Sequence, residues 1–69
     1  MQGIVKWYDA AKGFGFVAPS DGGRDVFVHA TALERGGMRT LMEGQSVRMQ
    51  VVQGRKGPEV ATIATGQGG

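Results

Sequence analysis

Short runs of strand-forming residues recur along the chain, and clusters of turn-forming residues separate them. Runs rich in β-branched and aromatic residues that end at Gly, Pro, Asp or Ser are typical of β-strands. The pattern predicts five strands, over residues 3–9, 13–18, 24–29, 45–53 and 59–65. It also predicts turns at residues 9–13, 19–23 and 54–58, where Gly and Pro accumulate.

Residues 30–44 lack the alternation of a strand. Thr31 followed by Glu34 matches a capping box, so we predict one helical turn over residues 31–35, ended by Gly36 and Gly37. A small sheet loses its open edges when it closes into a barrel. The predicted fold is therefore all-β, a five-stranded antiparallel barrel of the oligonucleotide-binding (OB) type with one long loop between strands 3 and 4. We expect residues 1–65 to form this domain and residues 66–69 a flexible tail.

The second and third predicted strands are apolar on both faces. Because side chains alternate along a strand, the Val residues of these strands share one face, and Phe14, Phe16, Phe27 and His29 share the other. A core of Phe with Val facing outward is the usual arrangement for a small domain. Three Val side chains, however, fit a tightly curved interior better than three rings, and cations border the Phe face. We therefore predict a core of Val17, Val26, Val28, Val47, Met49, Val51, Ala61 and Ile63, and an exposed Phe face that serves as a binding site.

Composition narrows the function classes. The chain has 69 residues, 41% hydrophobic content and a net charge of +2, which fits one folded domain and permits an anionic partner. With no Cys and one His, we expect neither disulfides nor a zinc site, and no cofactor. Ser20 and Ser46 have no evident base, and no Gly-rich loop precedes a helix, so we do not expect an enzyme. No apolar run approaches the roughly 20 residues of a membrane span, and no secretory segment follows Met1. We expect a cytoplasmic protein without a membrane partner.

Residues 12–17, Lys-Gly-Phe-Gly-Phe-Val, match the RNP1 pattern of RNA-binding domains, which fails only at its end, where Pro19 replaces an aromatic residue. Rings at alternate positions lie side by side, and each base stacked on such a ring contributes about 1–3 kcal/mol. Lys12 adds a cation for phosphate. The order of the motifs disfavours an RNA-recognition motif domain, because too few residues precede Lys12 to form a strand and a helix.

The chain resembles the bacterial cold-shock proteins, which are single cold-shock domains. The resemblance runs from residue 2 to about residue 64 and rests on residues 6–8, 12–17, 26–29, 40–41, 43–45 and 56–58. It implies an OB-type barrel that binds single-stranded RNA and single-stranded DNA with low sequence selectivity. It also implies a role as an RNA chaperone or antiterminator. We expect a monomer.

The resemblance also implies the binding residues: Lys6, Trp7, Lys12, Phe14, Phe16, Phe27 and His29, with Asp25 as a polar contact. Tyr8 stands where the family usually has Phe, and Met38 and Arg39 of the long loop complete the predicted site. We interpret Arg48, Arg55 and Lys56 as ordinary surface charges.

Three positions depart from the family pattern. Ala30 stands where many members have Phe, Met38 where an aromatic residue is common, and Asp9 where Asn is frequent. The predicted stacking surface is thus shorter than in fuller members, which lowers the expected affinity. Phosphate contacts from Arg35 and Arg39 would offset part of this loss.

An SH3-like barrel that binds proline-rich peptides through the same rings is the alternative. Such grooves usually recruit acidic residues, whereas Lys6 and Lys12 border this patch. The two functions differ in salt dependence, since nucleic-acid binding weakens steeply with salt.

Overall fold

The computed structural model describes residues 1–55 and 57–65, and it confirms the five predicted strands. They are β1 (Gln2–Asp9), β2 (Phe14–Pro19), β3 (Val26–His29), β4 (Ser46–Gly54) and β5 (Gly57–Thr65), with one helix, α1 (Ala30–Arg35), between β3 and β4. The predicted tail at residues 66–69 lies outside the described residues.

The strands form a closed barrel in the order β1-β2-β3-β5-β4, with β4 returning to pair with β1. Four of the pairings are antiparallel, and β3 and β5 pair in parallel where Phe27 lies opposite Glu59. The predicted OB-type barrel is confirmed, but the prediction that it is antiparallel throughout is wrong at this pairing. The reason is geometric, because strand directions cannot alternate all the way around a ring with an odd number of members.

The Val side chains of β2 and β3 lie in the core, and the Phe side chains of the same strands lie outside it, as predicted. Val17 and Val28 are 0% exposed, whereas Phe14, Phe16 and Phe27 are only half-buried. Among the described residues, the buried core is formed by Val5, Val17, Val26, Val28, Ala32, Leu33, Leu41, Val47, Met49, Val60 and Ile63.

Ala61 and Val51 were predicted in the core, and both are only half-buried. Gln50 pairs with Thr62, but Val51 pairs with Val60, so a β-bulge at Ala61 shifts the register. The bulge reverses the alternation beyond it and turns Val60 inward to 7% exposure. Val51 packs against the edge of the core.

The helix α1 forms where one turn was predicted, but its cap differs. His29, not Thr31, is the N-cap, and its ring accepts a hydrogen bond from the Thr31 backbone N–H. The helix packs against β3 and β5 and places Ala32 and Leu33 in the core. It ends at Gly36, where a Cβ would overlap the carbonyl oxygen of Ile63. No helix in residues 1–55 and 57–65 has the length and apolar character needed to cross a membrane.

Candidate nucleic-acid interface

Five rings form one continuous cluster on the outside of the barrel, which we call the aromatic face: Trp7, Phe14, Phe16, Phe27 and His29. The Trp7 centroid lies 5.5 Å from those of both Phe14 and Phe16. Phe27 lies 5.8 Å from Phe14 and from Phe16, and 6.4 Å from His29. These separations are those of contacting aromatic pairs, so each ring is packed against its neighbours at the surface of the barrel.

The pairing of β2 with β3 assembles most of this face. Phe14 lies opposite His29, and Phe16 lies opposite Phe27. Cross-strand partners project from the same side of a sheet, so the four rings occupy two adjacent rows. The Val partners of the same strands project to the other side, into the core.

A β-bulge in β1 brings Trp7 to the aromatic face. Val5 pairs with Val17, but Trp7 pairs with Phe16, so Lys6 is the extra residue. In regular alternation Trp7 would share the inward face of Val5; the bulge instead turns it outward, where it is 38% exposed.

Gly15 allows β1 to approach β2 closely enough for this arrangement. A Cβ at Gly15 would overlap the Trp7 carbonyl oxygen and would lie 2.7 Å from Tyr8 Cα. Tyr8 pairs with Gly15 and packs against the core, away from the ring contacts of the aromatic face. Burial raises the pKa of the Tyr8 phenol, and the carboxylates of Glu34 and Asp9 raise it further. The structure therefore separates Tyr8 from the rings with which it was grouped.

Lys6 and Asp25, both predicted site residues, form an exposed ion pair beside the face. Lys6 Nζ lies 3.2 Å from Asp25 Oδ2 and joins β1 to the loop before β3. The pair places one cation and one carboxylate at the border of the rings. An incoming phosphate would have to compete with Asp25 for Lys6.

Lys12 is exposed in the turn between β1 and β2, two residues before Phe14. Asp9 Oδ1 accepts hydrogen bonds from the backbone N–H groups of Ala11 and Lys12, at 2.9 and 3.1 Å. The Gly13 N–H donates to the Asp9 carbonyl oxygen at 2.7 Å, and Gly13 has φ of 77°. Asp9 thus shapes the turn that sets Lys12 before Phe14.

Met38 and Arg39 lie in the loop that follows α1. Met38 is half-buried against the core, and its N–H donates to the Leu33 carbonyl oxygen at 2.8 Å. Arg39 is exposed. Neither residue is part of the ring cluster.

A groove of about 710 Å³ extends the aromatic face across β3 to the turn between β4 and β5. Its lining comprises Phe14, Phe16, Phe27, Arg24, Asp25, Arg55, Gly57, Pro58 and Glu59. Arg24, Pro58 and Glu59 were not predicted as site residues, and Arg55 was interpreted as an ordinary surface charge. The parallel pairing of β3 with β5 brings the start of β5 beside Phe27, and this pairing could not be read from the sequence pattern.

Comparison with known proteins agrees with this geometry. The model of the "'Cold-shock' DNA-binding domain" family matches residues 1–65. The cold shock-like protein CspB of Yersinia pestis is 51% identical over 63 residues, covering 91% of this chain and 90% of that protein. The cold shock-like protein CspG of Escherichia coli (strain K12) is 51% identical over 65 residues, covering 94% and 93%.

The cold shock-like protein CspE of Buchnera aphidicola from Acyrthosiphon pisum is 49% identical over 63 residues, covering 91% of each chain. Similarity of this extent spans the whole barrel and the aromatic face. The barrel, the ring cluster and the matches along nearly the full chain lead to one assignment: this chain belongs to the "cold-shock" DNA-binding domain family.

Proposed function

We propose that this protein binds single-stranded RNA and single-stranded DNA with low sequence selectivity, by stacking bases on the aromatic face. The observation that carries the proposal is the position of the five rings outside a barrel whose core is already filled by Val, Leu, Ile and Met. Every base has a π-face, so stacking is tolerant of sequence and contributes about 1–3 kcal/mol per base.

Electrostatics plays the smaller part in this proposal. The net charge is only +2, and Lys6 already faces Asp25 at 3.2 Å. Lys6 and Lys12 are proposed as phosphate contacts that set the position of the strand. Each phosphate contacted on a single strand gives a slope of about −0.7 in log affinity against log salt, so the measured slope reports how many phosphates the protein contacts.

The proposed cellular role is that of an RNA chaperone or antiterminator. A protein that binds only the unpaired form of a hairpin shifts the hairpin toward that form by mass action, and no nucleotide hydrolysis is needed. We propose that the protein acts in the cytoplasm as a monomer, without catalysis, cofactor or membrane partner. The family match does not favour the alternative of a peptide-binding SH3-like barrel.

The test is a fluorescence titration, for which Trp7 is a natural probe because it is the only Trp in the chain. Oligo(dT), oligo(U) and a matched duplex are each titrated at two salt concentrations. We expect quenching of Trp7, clearly tighter binding of the single strands than of the duplex, and weaker binding at higher salt.

Phe27→Ala removes the ring that contacts three others, and we expect it to weaken binding by about fivefold or more. Val52→Ala is the matched control, since Val52 is exposed on β4 and does not line the groove. Equal affinity for duplex and single strand would refute base stacking as the mechanism.

A further inference from the structure

A carboxylate lies in the groove beside the rings. Glu59 belongs to β5, and its Cα lies opposite that of Phe27 in the parallel pairing. It lines the same groove as Phe14, Phe16 and Phe27. A base stacked on Phe27 would therefore present its edge toward β5 and Glu59.

The Glu59 carboxylate lies close to the backbone of β4. Glu59 is half-buried, and its carboxylate lies over the bare Cα of Gly54, the last residue of β4. A Cβ built at Gly54 would lie 2.5 Å from Glu59 Cδ, 2.7 Å from Oε1 and 2.9 Å from Oε2. The absence of a side chain at Gly54 thus creates the space that the carboxylate occupies.

Among the described residues, the positive and negative charges that line the groove are equal in number, so Glu59 does not give the lining a net negative charge that would repel a polyanion. Arg24 and Arg55 line the groove together with Asp25 and Glu59. The lining thus contributes two guanidinium groups and two carboxylates. This composition is suited to reading hydrogen bonds at base edges as well as holding phosphates.

An ionised carboxylate accepts hydrogen bonds and donates none. In single strands the Watson–Crick edges of the bases are free to be read. Guanine presents two adjacent donors there, N1–H and the N2 amino group, which match the two oxygens of one carboxylate. Uracil and thymine present one N–H between two carbonyl oxygens, and these oxygens are repelled by the carboxylate.

We propose that Glu59 makes the groove prefer guanine over thymine or uracil at the base that stacks on Phe27. The proposal rests on the proposed function, since it assumes that bases stack on the aromatic face. Within that function it identifies a residue of this chain that sets base preference at one position. Elsewhere along the face, stacking remains indifferent to sequence.

The test compares seven-nucleotide oligo(dT) with probes that carry a single dG at each position in turn, followed by Trp7 fluorescence. We expect one position at which dG tightens binding by about fivefold or more, the range of a bidentate base contact. Deoxyinosine at that position keeps N1–H and lacks the N2 amino group, so we expect an intermediate affinity.

Glu59→Gln replaces one acceptor oxygen by a donor, and we expect the ratio of dG to dT affinity at that position to fall close to one. The ratio is measured within one protein, so it does not depend on the fraction that is folded. Glu43→Gln is the matched control, because it removes the same charge from an exposed position outside the groove. We expect its ratio to equal that of the wild type.

A wild-type ratio near one at every position, or an unchanged ratio in Glu59→Gln, would overturn the role of Glu59 while leaving single-strand binding intact. Failure of the wild type to bind any of the single strands would instead overturn the proposed function, and this inference with it.

Discussion

His29 Nδ1 accepts a hydrogen bond from the backbone N–H of Thr31 at 3.2 Å. The same imidazole lies 6.4 Å from the Phe27 ring, at the end of the aromatic face. One side chain therefore does two things: it extends the ring surface and it caps α1, the helix that places Leu33 in the core. A backbone N–H can only donate, so Nδ1 is the acceptor in this contact.

Two substitutions should separate these roles of His29. Asn is a good N-cap without a ring, so His29→Asn should keep the free energy of unfolding and weaken oligo(dT) binding. His29→Phe keeps a ring and loses the cap, so it should keep binding and lose about 0.5–2 kcal/mol of stability. Urea denaturation and Trp7 fluorescence titration measure the two quantities. If both quantities fell together in both variants, the two roles would not be separable.

Gly15→Ala should destabilise the barrel, because the added Cβ would overlap the carbonyl oxygen of Trp7 and crowd Tyr8 Cα. Both neighbours are backbone atoms that cannot rotate away, so we expect a loss of about 1–3 kcal/mol in the free energy of unfolding. Gly23→Ala is the matched control. Its nearest neighbour is a side-chain oxygen of Asp21 at 3.0 Å, so its effect should be clearly smaller. Equal losses in the two variants would show that the close approach of β1 to β2 does not need Gly15.

Asp25→Asn should strengthen binding to oligo(dT) at low salt, because Lys6 then becomes free to contact a phosphate. The salt slope should steepen by at most about 0.7, the contribution of one complete phosphate contact on a single strand, because Asp25 competes with phosphate for Lys6 in the wild type. Stability should change by less than about 1 kcal/mol, since the ion pair is exposed. Asp21→Asn removes the same charge from the same loop without touching Lys6, and it should leave the slope unchanged. Identical slopes in the two variants would contradict the competition between Asp25 and phosphate.

The pattern of the sequence predicts the two-faced strands correctly because alternation is a local property. Val17, Val26 and Val28 face inward, and the Phe residues face outward, as the spacing requires. The helix was located from the spacing of Thr31 and Glu34 and from Gly36 and Gly37, although its N-cap is His29. Its core residues Ala32 and Leu33 were not identified, because a helix of six residues is too short for the helical period to show which side is buried.

Features that depend on register could not be predicted from spacing. The bulges at Lys6 and Ala61 arise from how neighbouring strands pair. The first turns Trp7 outward, and the second turns Val60 inward. The groove residues Arg24 and Glu59 are distant in sequence, and they line the same groove because β3 and β5 pair in parallel. Tyr8 was included in the site because the family usually has Phe there, but the bulge at Lys6 reverses the alternation and places Tyr8 on the core side.

Stability at alkaline pH should depend on Tyr8. Burial raises the pKa of its phenol above the ordinary value of 10.0, with further contributions from Glu34 and Asp9. The unfolded chain therefore loses this proton at lower pH than the folded chain does. The contribution of Tyr8 is complete below the unfolded pKa and is lost as the pH rises through the folded pKa.

Tyr8→Phe removes this titration, so its unfolding free energy should fall less than that of the wild type as the pH rises above about 9. Urea denaturation across this range measures the difference. Lysine titration affects both proteins and cancels in the comparison. Parallel curves for the two proteins would show that the phenol is not buried enough to matter.

Ala30 follows His29 at the end of the aromatic face, and an additional ring at residue 30 should strengthen binding. The Ala30 N–H donates to the Gly13 carbonyl oxygen at 2.9 Å, and a Cβ at Gly13 would lie 3.6 Å from Ala30 Cβ. Ala30 therefore adjoins the residue before Phe14 and follows His29 directly. Ala30→Phe should add one stacking position and tighten oligo(dT) binding by about tenfold, within the range of about 1–3 kcal/mol per stacked base. Val52→Phe adds a ring on β4 outside the groove and should leave the affinity unchanged. If Ala30→Phe bound no more tightly than Val52→Phe, ring number at this end of the face would not limit affinity.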